Sequence, residues 1–322
     1  MEEKKPLIVL TGPTAVGKTE LSVKLARRIG GEILSADSMQ VYRHMDIGSA
    51  KIRKEEMEGI PHHLIDILNP DEEFNVTVFQ RLAKECLEGI FHRGHIPIMV
   101  GGTGFYIQAL LYDVVFEPEE ENTDIRKKLE RLAAERGAAY LHRLLKEVDP
   151  DSAQAIHENN RKRVIRALEF YEQNQYPISL HNQEQRKRQS AYLSCYFVLN
   201  DDRQKLYERI DQRVDQMLEE GLLDEVEKLR AMGYHKGMVS MQGLGYKELL
   251  GYLDGELSLE EAVRLIKRDS RHFAKRQLTW FRRERDVIWI NKQDFSYDRD
   301  QILSFMEKKI AEKCEGDREE SL

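Results

Sequence analysis

The chain has 322 residues, 41% of them apolar and 33% charged, with a formal net charge of −7. This is globular composition, long enough for about two domains, and no apolar run approaches the ~20 residues a membrane-spanning helix needs. Met1-Glu2-Glu3-Lys4-Lys5 lacks the apolar core of a signal peptide, and the scattered Cys86, Cys195 and Cys314 offer neither a disulfide framework nor paired zinc ligands. The expectation is a reduced, cytoplasmic, monomeric protein.

In chain order, Pro6–Leu10 reads as a buried strand ended by Thr11-Gly12-Pro13. A helix follows from Lys18, with Leu21, Leu25 and Ile29 on one face and Gly30-Gly31 as its stop. Glu32–Ala36 reads as a second strand. Phe79, Leu82, Cys86 and Ile90 line an amphipathic helix capped by Asn75 and ended by Gly94, and Ile96–Val100 is a third strand. From Glu117 to Ser190 the sequence is charged and helical. Strand character returns at Tyr192–Leu199 and Val287–Ile290, with a helix carrying Leu206, Ile210, Val214, Met217 and Leu218 between them. The alternation predicts an α/β fold, a P-loop-type parallel sheet core with helices on both faces. That core spans 1–116 and 191–322, and a helical insertion occupies 117–190.

Gly12-Pro13-Thr14-Ala15-Val16-Gly17-Lys18-Thr19 fits the P-loop pattern in full, between a strand and a helix. Glycines let successive N–H groups turn toward an anion, and the helix N-terminus adds a favourable dipole. Lys18 places a cation on terminal phosphate oxygens, and the Thr19 hydroxyl is suited to Mg²⁺. The motif indicates phosphate binding without naming the phosphate compound. Asp37 follows the second strand, where open α/β sheets bind ligands. It is a metal ligand, an acceptor for a substrate N–H or O–H, or the cap of a turn. Gly101-Gly102-Thr103-Gly104 lies at the same edge, and no acid follows Val100, which weakens an ATPase reading. His62 and His63, adjacent on extended chain, point to opposite faces and are poorly placed to share an ion.

Charge is unevenly spread. Arg264–Arg285 carries nine Lys/Arg against Asp269 and Glu284. Its core, Arg271–Arg283, interleaves cations with Phe273, Trp280 and Phe281, which suits RNA: cations for phosphates, aromatics for bases. The plainer reading is an amphipathic helix with its aromatics turned inward. Arg161-Lys162-Arg163 and Arg186-Lys187-Arg188 are shorter basic clusters, and acids gather at Glu117–Glu121, Glu219–Glu227 and after Glu312.

The ordered set of motifs resembles the tRNA dimethylallyltransferase family in its bacterial form. It comprises Gly12–Thr19, Asp37-Ser38-Met39-Gln40-Val41-Tyr42, His62-His63-Leu64-Ile65-Asp66, Gly101-Gly102-Thr103-Gly104 and Asn160-Arg161 through Glu169. It continues through Leu206–Asp211, Arg213-Val214-Asp215-Met217, Gly243-Leu244-Gly245-Tyr246-Lys247 and Lys275-Arg276-Gln277 with Thr279–Arg282. One departure is Gln242-Gly243-Leu244-Gly245, where relatives often have alanine before the aliphatic residue, without consequence for the chemistry.

The resemblance implies transfer of a dimethylallyl group from dimethylallyl diphosphate to N6 of adenosine 37 in the tRNA anticodon loop, releasing diphosphate. It implies Asp37 as the base for the poorly nucleophilic exocyclic amine. Lys18, the loop N–H groups and Mg²⁺ at Thr19 would meet the leaving diphosphate, with Arg213, chosen over Arg209, reaching it from the long helix. By the same resemblance Asp37, Ser38, Met39 and Gln40 touch the extruded adenosine and its neighbours. Thr103, Arg126, Arg161, Lys162, Arg163, Val164 and Ile165 are expected to contact tRNA. The alternatives from other classes are a P-loop small-molecule kinase, which leaves the basic–aromatic stretch unused, and a non-catalytic RNA-binding module, which leaves the phosphate loop unused.

Overall fold

The computed structural model describes residues 4–116 and 124–320. The acidic stretch Glu117–Glu121 and the side chain of Arg186 lie outside what it describes. The chain divides into two compact units, Met1–Leu111 with Ala191–Leu322, and Tyr112–Ser190.

The first unit opens with β1 (Pro6–Thr11), α1 (Lys18–Ile29), β2 (Gly31–Ser35), β3 (His62–His63), α2 (Val76–His92), β4 (Ile96–Gly101) and α3 (Gly104–Leu111). The second unit consists of α4 (Asp124–Arg136), α5 (Ala138–Val148), α6 (Pro150–Ala155), α7 (Arg161–Asn174) and α8 (Ile178–Lys187). The first unit resumes with β5 (Leu193–Asn200), α9 (Arg203–Glu219), α10 (Leu222–Ala231), α11 (Tyr246–Leu253), α12 (Leu259–Phe281), β6 (Val287–Asn291) and α13 (Arg299–Glu320).

The strands form one six-stranded sheet in the order β3-β2-β4-β1-β5-β6, and every pairing is parallel. Parallel neighbours need a crossover, which is why helices separate them in sequence and cover both faces. A strand buried on both faces reads as a continuous apolar run, as PLIVLT of β1 and LSCYFVLN of β5 do. Ile8, Leu10, Ile33, Ile98 and Phe197 from four strands pack with Leu21 and Leu25 of α1 in one core. Each such side chain, fully buried, contributes about 1.5–3 kcal/mol.

The register places the site. Thr11 pairs with Gly101 and Ser35 with Val100, so β1, β2 and β4 end at one level and their loops meet over one sheet edge. Thr11 Oγ1 donates to Gly101 O at 2.6 Å and Ala36 N to Val100 O at 2.8 Å, closing that edge. Asn75 caps α2 by accepting from Val78 N at 3.0 Å, the cap its sequence position predicts.

The second unit is all helical in its described residues. Leu129, Leu141, Leu145, Val164, Ile165 and Leu168 form its core. Buried Asp149 ties two helix starts together, accepting the N–H groups of Ser152 and Ser179, each at 3.0 Å. Among the described residues no helix is long and apolar enough to cross a membrane.

Candidate active site

Three loops and two helices build the crevice. The β1–α1 loop turns because Gly12 (φ +145°) presses against the chain, where a Cβ would stand 2.3 Å from Leu199 O. Ala15 (φ 61°) and Gly17 (φ 98°) also take left-handed backbone, the kind of turn that can gather N–H groups around an anion, and α1 starts at Lys18. Pro13 and Val16 are buried and anchor the loop, while Thr14 and Ala15 border the crevice. Lys18 Nζ donates to Gly12 O at 2.9 Å and Pro13 O at 2.8 Å. Burial brings its pKa down to about 7; Arg213 pushes the same way and Asp37 opposes.

Asp37 follows β2 and serves one of the roles open to it, the cap of a turn. Its Oδ1 accepts the Met39 N–H at 2.8 Å, capping the following turn. That is its one hydrogen bond among the described residues, so the second oxygen stays available to the crevice. Ser35 Oγ donates to Gln40 Oε1 at 3.1 Å. The third loop owes its glycines to close approach: a Cβ on Gly101 would meet Ala36 O at 2.2 Å, and one on Gly104 the Trp280 ring at 2.2 Å. The loop itself, Gly101-Gly102-Thr103-Gly104, carries no carboxylate.

From α9, Arg213 reaches over the phosphate loop, its Nη1 3.4 Å from Thr14 Oγ1. Burial lowers its pKa, and Asp37 and Glu220 counteract that. Arg209, one turn earlier, instead pairs with buried Asp201. From α12, Gln277 links two loops, accepting Thr14 N–H at 2.9 Å and donating to Gly102 O at 3.0 Å.

These groups line two adjoining chambers. A small polar one, about 100 Å³, holds Thr14, Lys18, Thr19, Asp37, Gln40 and Arg213. A larger one, about 450 Å³, is more apolar, with Met39, Tyr42, Phe74, Tyr106, Tyr246 and Phe273 in its wall. Asp37, Thr14 and Arg213 border both, and Ser38 and Thr103 border the larger.

Other expected residues belong to the second unit. Arg161, Lys162 and Arg163 are exposed on the first turn of α7. Arg126 is held by Glu169 at 2.8 Å. Val164 and Ile165 are buried in that unit's core, their side chains packed inward.

Sequence reasoning missed several supports. Gln277 is legible only as part of a basic motif, and Phe273, open in sequence to either base stacking or the core, borders both chambers. Glu225 lies in the acidic run Glu219–Glu227, yet it is buried and accepts the N–H groups of Asp46 (2.9 Å), Ile47 (2.8 Å) and Gly48 (3.1 Å) and the Tyr246 hydroxyl (2.7 Å). It holds the 46–50 loop against the crevice. The only local signal was Gly48, whose Cβ would collide with the Tyr246 ring at 2.5 Å. The adjacent histidines diverge: His62 borders the small chamber with Nδ1 donating to Ile60 O at 2.8 Å, and His63 Nε2 meets Glu32 at 2.7 Å. Among the described residues no three acidic, histidine or cysteine side chains are grouped to hold a metal.

The basic run is less free than its composition suggests. Arg264 pairs with Glu261 (2.6 Å), Lys267 with Asp215 (2.6 Å), Arg268 with Asp269 (2.8 Å) and Arg271 with Asp211 (2.7 Å). Lys275, Arg276, Arg282 and Arg283 make no ion pair among the described residues.

The chain matches a family model described as IPP transferase over residues 40–284 and one described as isopentenyl transferase over 5–70. It is 59% identical to a tRNA dimethylallyltransferase of Lachnoclostridium phytofermentans over 96% of this chain and 98% of that protein. Identity to one from Acetivibrio thermocellus is 53%, over 91% and 93%. Among solved structures it resembles the full-length tRNA isopentenylpyrophosphate transferase of Bacillus halodurans (45% identity, TM-score 0.73, 98% and 100% covered). It also resembles a eukaryotic dimethylallyltransferase acting on tRNA (32% identity, TM-score 0.77, 91% and 75% covered). A matched model over most of the chain and near full-length relatives at this identity establish that the chain belongs to the IPP transferase family, that of the tRNA dimethylallyltransferases.

Proposed function

We propose that the chain transfers a dimethylallyl group from dimethylallyl diphosphate to N6 of adenosine 37 in the tRNA anticodon loop, releasing diphosphate. The observation that carries the reading is the shared border of the two chambers. An anion cradle with Lys18 and Arg213 adjoins an apolar chamber suited to an allylic chain and a purine, and Asp37 stands where the two meet. The kinase alternative gains no support from the relatives.

In this reading the bond from N6 to the allylic C1 forms as the C1–O bond breaks, and that electron pair leaves on the diphosphate. The N6 proton passes to the Asp37 oxygen that Met39 does not use. Lys18, Arg213 and the loop N–H groups stabilise charge developing on the leaving group. The donor set fits Mg²⁺, which takes few protein ligands and keeps phosphate oxygens and water. The Thr19 hydroxyl would hold it, and when bound it supplies neutralisation of the diphosphate charge. The adenosine must leave the anticodon stack to reach the chamber, where Ser38, Met39, Gln40 and Thr103 would receive it. Arg126 and Arg161–Arg163 of the second unit would grip the stem-loop backbone. With tRNA as substrate, the compartment is the cytoplasm.

The deciding experiment offers unmodified tRNA with dimethylallyl diphosphate radiolabelled in the prenyl group, in parallel with γ-labelled ATP. Label entering tRNA from the prenyl donor is expected, and label entering an acceptor from ATP alone would sink the reading.

A further inference from the structure

Lys292 opens the turn after β6, near the edge of the sheet from which the phosphate loop leaves. Thr11 of β1 pairs with Val198 of β5, and Asn200, two residues on, pairs with Asn291 of β6. The Asn200 side-chain amide donates to Asn291 Oδ1 at 3.0 Å, fixing the backbone that carries Lys292. The lysine side chain is only 17% exposed. Its Nζ donates to Val16 O at 3.4 Å, lies 3.7 Å from Asp201 Oδ2 and would stand 3.8 Å from a Cβ on Gly17. The Asp201 carboxylate is buried and itself held, accepting from Arg209, from the Tyr297 hydroxyl at 3.1 Å and from the Asp202 N–H at 2.7 Å. It gives the ammonium a fixed seat, from which the loop carbonyl is in reach.

A trans peptide is planar, with its N–H antiparallel to its C=O. Holding Val16 O on Lys292 therefore turns the Gly17 N–H the opposite way. That N–H has no hydrogen-bond partner among the described residues, and open N–H groups of such a loop are anion donors. Lys292 borders neither chamber, whereas Lys18 and Thr19, which follow Gly17 directly, border the small one.

We propose that Lys292 is a positioning residue: seated on Asp201, it sets the Val16–Gly17 peptide so that the Gly17 N–H faces the leaving diphosphate. The inference rests on the diphosphate reading of the small chamber, and it touches no reacting atom itself.

The test titrates the full chain, labelled with ¹⁵N-glycine, with inorganic diphosphate and Mg²⁺, following affinity by calorimetry and the Gly17 amide by nuclear magnetic resonance. In the wild type the Gly17 amide is expected to shift strongly on saturation. Lys292→Met should weaken binding by about tenfold and lose most of the Gly17 shift even at saturation, while Lys292→Arg, which keeps a donor, restores both. Lys292→Gln, one bond shorter, is expected to behave as the methionine variant and decides the matter if that variant fails to melt cooperatively. A role in stability alone, or in long-range charge alone, would leave the saturated Gly17 shift at its wild-type value. That outcome, or wild-type affinity in a folded variant, overturns the proposal. A wild type whose Gly17 answers diphosphate in the expected way yet moves no prenyl group would overturn the proposed function and leave this inference standing. Prenyl transfer with a silent Gly17 would do the reverse.

Discussion

Asp37 Oδ1 accepts the Met39 backbone N–H at 2.8 Å while the same carboxylate borders both chambers. One oxygen shapes the turn and the other makes no hydrogen bond among the described residues, so capping and proton acceptance are compatible in one residue.

That division separates the two roles by experiment. In Asp37→Asn the amide oxygen can keep the Met39 bond, so stability should stay within about 0.5 kcal/mol of wild type. Turnover should fall by on the order of 10²–10⁴ with tRNA affinity nearly intact. Single-turnover prenylation and filter binding would check this, and near-normal turnover would leave Asp37 with the cap alone.

The Lys18 ammonium, brought down to about 7 by burial and Arg213, makes donor binding pH-dependent. The bound diphosphate favours the charged form, so its pKa rises in the complex. Below about pH 7 the lysine is already charged and affinity is flat; above it, binding requires proton uptake and affinity falls toward tenfold per pH unit. Calorimetry of the donor from pH 6.5 to 9 should show this slope, and Lys18→Met should bind more weakly without it.

Glu225 supplies acceptors to three loop N–H groups and to Tyr246. Glu225→Ala leaves those donors buried and unpaired, which costs about 2–4 kcal/mol and should lower the melting temperature by several degrees, on the order of 2–4 °C per kcal/mol. The donor KM should rise because the 46–50 loop borders the crevice. A variant melting like wild type would mean that water replaces the carboxylate.

Salt dependence should distinguish the two halves of the basic run. Lys275→Ala or Arg282→Ala should each reduce the slope of log affinity for tRNA against log salt by about one if that residue meets a phosphate. Arg264→Ala and Arg268→Ala, already neutralised by Glu261 and Asp269, should change it little. An unchanged slope in the first pair would move the RNA surface off this helix.

The phosphate loop, the cap of α2 and the five longer strands were legible because their causes are local. They rest on a glycine that must take positive φ, a side chain that reaches three residues along, and an apolar run long enough for one strand. The turn at Asp37 was equally local, and the residue's several possible roles followed from its position after a strand. Choosing Arg213 over Arg209 was possible only through the resemblance; helical spacing puts both one turn apart, and Asp201, from another element, takes Arg209.

The amino-acid sequence by itself determined the parallel α/β core, the anion-binding loop at a strand's end and the family to which the ordered motifs belong. Tertiary structure alone decided which charges are spent and which remain. Glu225 in an acidic run became a buried clamp, four cations of a basic run found carboxylates, and Gln277 reached a loop N–H far away in the chain. Those outcomes depend on partners brought close only by packing, since the strength and availability of a charged or polar group are set by its burial and nearest neighbours rather than by its place along the chain.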